Sequence, residues 1–181
     1  KEYDSEVTPG QVAADIGPGL ARAAMAAEVN GQIVGLDYLI PNGNEATLKL
    51  FTKKDPEALG VMRHSAAHVM ARAIMRIFPG VQLAFGPTID GGFYYDFDLD
   101  HKLSGEDFET IEAEMKKIIK ADEPFERIET GRDEALNIVN DLGQEYKVEH
   151  IRDGLTEHDQ LSFYRQGEFI DLCRGPHVPS A

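Results

Sequence analysis

The sequence predicts an α+β fold in two parts. Residues 1–53 read as a small β-grasp-like module, and residues 54–181 as an α+β domain whose central, mostly antiparallel sheet is packed by helices. Two observations carry this. Short period-2 runs recur in both parts, bounded by Gly- and Pro-marked turns. Helical runs with apolar residues at three- and four-residue spacing lie between them. The size agrees: 181 residues hold one medium domain or two small ones, and an apolar content of 42% supports real cores.

In the first part, Thr8-Pro9 supplies a helix cap and first residue, Val12, Ala13 and Ile16 give that helix an apolar side, and Gly17-Pro18-Gly19 stops it. A strand over 24–29 follows. Asn30-Gly31 is a type I′ hairpin signal, with the return over 32–34 and another strand over 47–51.

In the second part, Asp55-Pro56 again reads as cap and first residue of a helix, ended by Pro79-Gly80. Leu59, Met62, Ala66, Met70, Ala73 and Ile77 form one apolar stripe. His64 and His68 fall on the other side beside Val61, Ala71 and Met75, so the helix is expected to be buried on two sides. Residues 83–99 read as two strands joined by the turn at Asp90-Gly91-Gly92. Ser104 caps a helix running to about Lys120. Then come a strand over 124–129, a helix over 132–142 ended by Gly143, and strands over 146–151, 161–165 and 169–173, the last two joined at Gly167.

Composition excludes several classes. The net charge of −14, from 32 acidic and 18 basic residues, argues against a surface that clamps nucleic acid all over, while leaving room for a local basic strip. No apolar stretch is long enough to span a membrane, and the start lacks the pattern of a signal peptide. The single cysteine, Cys173, cannot form an internal disulfide, which fits a reducing cytoplasm. The chain has no initiator Met and ends abruptly at Val178-Pro179-Ser180-Ala181, as expected of a piece of something longer.

The chemistry concentrates in two motifs, His64-Ser65-Ala66-Ala67-His68 and Asp171-Leu172-Cys173-Arg174-Gly175-Pro176-His177. His64 and His68 are one helical turn apart and share a face. A lone pair of this spacing is more often two core histidines. A zinc-protease pattern needs glutamate directly after the first histidine, and Ser65 stands there instead. Asp171 and Cys173 alternate by two and share a strand face, and Gly175-Pro176 turns the chain toward His177. Three chemistries use such a set: zinc held by His64, His68, Cys173 and His177, closed and structural if all four bind; Cys173 as nucleophile with a histidine base; or a water activated by side chains without metal. Composition does not choose among them. Lys147, in the alternating run 145–149, reads by periodicity as a solvated strand lysine. His101, His150 and His158 read as surface residues, and Tyr95 as a candidate pocket hydroxyl.

Together with Gly86-Pro87, Gly91-Gly92-Phe93-Tyr94-Tyr95-Asp96 and Tyr146-Lys147, the two motifs resemble the N-terminal region of bacterial-type threonyl-tRNA synthetases, in order and spacing along nearly the whole chain. Residues 1–53 resemble the TGS module of that family, through Asp15-Ile16-Gly17-Pro18-Gly19-Leu20 and Val29-Asn30-Gly31, with its usual first strand expected to lie before Lys1; residues 54–181 resemble its editing domain. Alanyl-tRNA synthetases and free-standing alanyl-type editing proteins share the two histidine motifs, but the Cys-Arg-Gly-Pro-His form and the preceding module favour the threonyl family. The class II ligase core and the anticodon-binding domain are absent, so no ATP-dependent charging is expected of this chain; ATP and zinc belong to that missing core.

The resemblance implies a cytoplasmic ester hydrolase that removes serine from the 3′ acceptor end of threonine tRNA. Serine lacks one methyl of threonine, worth only about 1–3 kcal/mol of discrimination, so a second sieve is needed. It implies that His64, His68, Lys147, Asp171, Cys173 and His177 carry the site. His64 and Lys147 then position or polarise water and the ribose end, and Asp171 binds the serine amino group. Cys173 and His177 line the pocket and hold water, His68 orients its neighbours, and Tyr95 closes one wall. It implies no metal for editing, although alanyl-type relatives place zinc on the His64, His68, Cys173, His177 quartet. The expected partners are the tRNA and the rest of the synthetase, not a membrane. Arg63, Lys147, Arg152, Arg165 and Arg174 are candidates for a strip meeting the acceptor end. The alternatives are an alanyl-type editor and a non-enzymatic, zinc-stabilised binding module containing a TGS-like part.

Overall fold

Every residue except Asn44 is described in the computed structural model, and the first helix starts at Pro9. The residues group into two units, Lys1–Ser65 with Gly175–Pro179, and Ala66–Arg174 with Ser180–Ala181.

In the first unit, α1 (Pro9–Ile16) opens with a reciprocal cap. Gln11 N–H donates to Thr8 Oγ1 at 3.2 Å, and Thr8 N–H donates to Gln11 Oε1 at 2.8 Å. Gly17 ends α1 as expected, but the chain does not stop there: Pro18 opens α2 (Pro18–Ala23). Proline at the first helical position sacrifices no intrahelical bond and has its φ already set. β1 (Ala24–Val29), β2 (Gln32–Val34) and β3 (Leu48–Thr52) form an antiparallel sheet in the order β2-β1-β3. Asn30 and Gly31 take φ of 51° and 84°, the left-handed pair that a type I′ turn requires. Ala27, Val29, Val34 and Ile40 close the core beneath.

Helix α3 (Pro56–Ile77) contributes residues to both units. Asp55 does not cap it through its side chain as expected; its carboxylate turns back to accept the Thr52 N–H at 2.7 Å and hydroxyl at 2.9 Å. The expected apolar stripe is also partly misplaced. Leu59 and Met62 are 45% and 38% exposed, whereas Ala58, Val61, Ala67, Val69, Ala71 and Ile74 are buried. Burial on two sides, as expected, does hold: Ala58 and Val69 lie on one side of the helix and Ala67, Ala71 and Ile74 on the opposite one.

In the second unit, residues 82–98 form one hairpin broken into two ladders. β4 (Gln82–Leu83) pairs with β7 (Phe97–Asp98), and β5 (Thr88–Ile89) pairs with β6 (Gly92–Phe93). The gap holds Gly86 against the ring of Tyr95, so the two strands expected here are not continuous. A 3₁₀ turn (Gly105–Asp107), capped by Ser104, leads into α4 (Phe108–Ala121). β8 (Glu126–Gly131), β9 (Gln160–Gln166) and β10 (Phe169–Leu172) form an antiparallel sheet in the order β10-β9-β8. α5 (Arg132–Asp141) is followed by Gly143 at a φ of 65°. Ala135, Val139, Ile151 and Phe163 form one core cluster, and Ala67, Ala71, Leu83, Tyr95 and Phe169 another.

The main departure lies at 145–154. The strand expected over 146–151 is a short helix, α6 (Glu145–Glu149), followed by a π turn (His150–Gly154). Gln144 causes this locally. Its carbonyl accepts N–H bonds from Lys147 and Val148, both at 3.1 Å, starting a helix. Its side-chain amide binds Leu83 N–H at 2.7 Å and the Val81 carbonyl at 3.1 Å. Arg132 ties down the turn that follows, donating to the carbonyls of Ile151 and Leu155. Five residues of apparent alternation cannot outvote these tertiary anchors. No helix among the described residues is long and apolar enough to cross a membrane.

Candidate functional site

Within the second unit, β10 aims Asp171 inward beside Phe169, leaving the carboxylate side chain 5% exposed. A buried carboxylate is costly unless its oxygens are paired and hydrogen-bonded. Lys147 Nζ lies 3.0 Å from Oδ1. Tyr95 Oη donates to Oδ2 at 2.6 Å, and His68 Nε2 lies 3.9 Å from that same oxygen. Lys147 is itself buried, and its ammonium sits 5.7 Å and 5.8 Å from the ring centres of Phe85 and Tyr95. This corrects the solvated-lysine reading: a helical turn, not a strand, carries Lys147 in to the carboxylate.

Tyr95 is placed by the broken hairpin. Its ring stacks on Phe97 at 4.9 Å, and a Cβ at Gly86 would overlap it. Burial, reinforced by the Asp171 charge and hydrogen bond and by Cys173, pushes the Tyr95 hydroxyl well above its ordinary pKa, so it stays a donor. His68 is buried between edge-on contacts to Phe169 and Phe125, at 5.6 Å and 6.4 Å.

Cys173 lies just past the end of β10. Its N–H donates to the Ser162 carbonyl at 3.0 Å, and its carbonyl accepts the Ser162 hydroxyl at 2.7 Å. Beside it opens a cavity of about 150 Å³ lined by Lys147, Cys173, Phe85, His150, Ser162 and Arg174, among others. His150 is therefore half-buried in this wall and not the surface residue expected. Burial, and then the charges of Lys147 and Arg174, hold its pKa below the ordinary value. Three candidates for the basic strip fall in this unit with defined neighbours. Arg165 is held by Glu126 at 2.7 Å and Lys147 by Asp171, while Arg174 is exposed with Nη2 3.3 Å from His158 Nε2.

Within the first unit, the chain turns at Gly175, with φ of 71°, and at the cis Gly175–Pro176 bond. His177 packs against His64, ring centres 4.3 Å apart. His64 Nδ1 is 3.2 Å from the Pro176 carbonyl oxygen. A carbonyl only accepts, so this contact assigns the proton to His64 Nδ1. Ser65 is the residue that sequence reasoning passed over, noting only that it is not glutamate. Its buried Oγ lies 3.1 Å from His177 Nδ1, 3.0 Å from the Val178 nitrogen and 3.0 Å from the Val61 oxygen. The available signal was a hydroxyl in mid-helix between two histidines.

The structure thus brings His68, Lys147, Tyr95 and Asp171 together in one unit, with Cys173 and Lys147 lining a cavity there, and His64 and His177 together in the other. Helix α3 carries His64 and His68 one turn apart. Around the cavity, the Lys147 ammonium, the Cys173 thiol and the imidazoles of His150 and His158 can hold water, polarise an acyl group and move protons.

Residues 1–52 match the profile of the TGS domain, and residues 161–181 that of the threonyl and alanyl tRNA synthetase second additional domain. The chain is 57% identical to a threonine–tRNA ligase of Rhodopirellula baltica over 185 aligned positions, covering all of this chain and 25% of that protein. It is 52% identical to the threonine–tRNA ligase of Clostridioides difficile and 49% to that of Marinobacter nauticus, in each case over 99% of the chain and 28% of the relative. The chain therefore spans about a quarter of the length of these relatives. With both domain types in this order and similarity along its whole length, the chain matches the N-terminal, TGS-bearing region of threonine–tRNA ligases.

Proposed function

We propose that this chain edits by hydrolysis, cleaving the ester that joins serine to the 3′-terminal adenosine of threonine tRNA. One observation carries the proposal: a carboxylate and an ammonium buried together, with a tyrosine hydroxyl on the carboxylate, where the ammonium also borders a cavity. Such a group is expensive to bury and is of use where a charged ligand is recognised. The second-additional-domain match over 161–181 supports the same reading.

Hydrolysis needs a positioned water, stabilisation of the oxyanion and a proton for the departing ribose oxygen. His64 and Lys147 position or polarise the water and the ribose end. Asp171 receives the serine ammonium, and Tyr95 closes the wall beside it. Cys173 and His177 line the pocket and hold water, while His68 orients its neighbours. The reaction is proposed to run without a metal. Zinc on His64, His68, Cys173 and His177 is the rival, and one tightly held zinc per chain on elemental analysis would establish that rival. The acceptor end of the tRNA is the proposed partner, and the rest of the synthetase supplies most of the tRNA grip. With a net charge of −14, the chain alone binds tRNA weakly, and more weakly still as salt rises.

The test is a deacylation assay of this chain on seryl-tRNA(Thr) and seryl-tRNA(Ala). Hydrolysis of the first in preference to the second, lost in His64→Ala and in folded Lys147→Ala, is the expected result. Unchanged rates in both variants sink the assignment. Preference for seryl-tRNA(Ala) points to an alanyl-type editor, and no activity with either points to a binding module.

A further inference from the structure

Ser65 sits in the middle of α3, where a serine commonly turns its hydroxyl back to the carbonyl four residues earlier. Here that carbonyl is Val61, 3.0 Å away, and two further groups crowd the same oxygen: the Val178 nitrogen at 3.0 Å and His177 Nδ1 at 3.1 Å. Both Ser65 and His177 are 3% exposed, so solvent does not relax this arrangement.

A hydroxyl has one hydrogen and two lone pairs. The Val61 carbonyl can only accept, so it takes the hydroxyl hydrogen. The Val178 N–H can only donate, so it takes one lone pair. The remaining lone pair faces His177 Nδ1, which must bring the proton to that contact. In the opposite arrangement the hydroxyl donates to Nδ1. Two oxygens, Ser65 Oγ and Val61 O, would then stand 3.0 Å apart with no hydrogen between them, in a buried place where an unmade hydrogen bond is costly.

We propose that Ser65 is a positioning residue that locks His177 in its Nδ1–H tautomer, making Nε2 the ring's proton acceptor. A histidine side chain free in water favours the opposite tautomer, so the lock does something. It makes the neutral ring ready to take a proton or to accept a hydrogen bond from water through Nε2, with no tautomer exchange first. His64 is set the same way by Pro176, whose carbonyl can only accept from Nδ1 at 3.2 Å. Two packed imidazoles thus keep the same nitrogen protonated. The catalytic consequence rests on the editing reading; the tautomer itself does not.

Nitrogen-15 NMR of the histidine rings in this chain, at a pH where they are neutral, reads the tautomer directly, with His177 assigned by its loss in His177→Asn. His177 is expected to show a protonated Nδ1 and an unprotonated Nε2. Ser65→Ala should mix the two forms, and Ser65→Thr, which keeps a hydroxyl, should retain the wild-type form. In deacylation, Ser65→Ala should lower kcat roughly 10–100-fold with little change in KM, the scale seen when a group orienting a functional histidine is lost, and Ser65→Thr should restore most of it. A protonated Nε2 in the wild type overturns the inference, as does an unchanged ring in Ser65→Ala. The wild-type spectrum decides the matter even if Ser65→Ala fails to fold. A locked tautomer in a chain that deacylates nothing overturns the editing reading alone.

Discussion

The Asp171 cluster and the Ser65 cluster solve opposite problems. The first buries full charges: Asp171 and Lys147 are 3.0 Å apart with side chains 5% and 6% exposed. Each ion gives up hydration worth several kcal/mol, which is offset only while every partner is in place. The second cluster holds no ion pair: one hydroxyl, one imidazole and two backbone groups. Each of its bonds is worth only about 0.5–1.5 kcal/mol net. The ionic cluster therefore commits folding energy to hold a charge where water is excluded. The second commits little and fixes only which way a proton points.

The sharpest way to break this contrast is Lys147→Met. It leaves Asp171 buried without its cation and should destabilise the chain by about 3–5 kcal/mol in urea titrations. Adding Asp171→Leu removes the stranded charge and should recover most of that loss, whatever happens to activity. Ser65→Ala, by comparison, should cost about 1–3 kcal/mol, for the buried groups it leaves unpaired. Equal losses at Lys147 and Ser65 would erase the distinction between the clusters.

The two clusters were also unequally legible. The β9–β10 hairpin follows from its own residues: alternation from Phe169, the turn at Gly167 with φ of 57°, and so Asp171 on the buried face. Lys147 was not legible from its neighbours. Polar and apolar residues alternate over 145–149, yet helix α6 forms because Gln144 is anchored to residues 81 and 83, more than sixty positions earlier. Ser65 was visible but mute, since its meaning comes from His177 and Val178, over a hundred residues later. Tyr95 lay between these cases. An aromatic after a Gly-Gly turn announces a hairpin, but only the break opposite Gly86 turns its hydroxyl to Asp171. Local rules recover elements; the partners of a buried polar group depend on distant chain.

Two substitutions around Tyr95 sharpen the same contrast at smaller scale. Tyr95→Phe removes one hydrogen bond to a charged oxygen and should cost about 1.5–3 kcal/mol. Gly86→Ala keeps the hydroxyl but drives a methyl into the ring, and should cost about 1–3 kcal/mol through overpacking. In Gly86→Ala/Tyr95→Leu the clash is relieved, so the two losses should fall short of additive. Strict additivity in thermal unfolding would mean that Gly86 does not position Tyr95.

The smallest expected effect comes from a third cluster, where charges meet at the solvent edge. Glu168 receives Arg72 and Arg76, with Arg72 2% and Glu168 57% exposed. The hydrogen bond from Arg72 is the largest influence on the Glu168 carboxyl; burial opposes it, and with the further hydrogen bond from Arg76 the carboxyl is held at about 2 against an ordinary 4.5. The folded carboxyl is the stronger acid, so between those values the unfolded chain binds more protons. The stabilisation is then complete above about 4.5 and is lost as the pH falls toward about 2. Because Glu168 is more than half exposed, screening limits the effect to about 1 kcal/mol or less. The difference in Tm between wild type and Glu168→Gln should therefore be flat from neutral pH to about 4.5, shrink below it, and shrink at every pH in high salt. A difference that ignores both pH and salt would mean that Glu168 acts by packing. The contrast between Asp171 and Glu168 would then reflect chemistry other than the desolvation of charge.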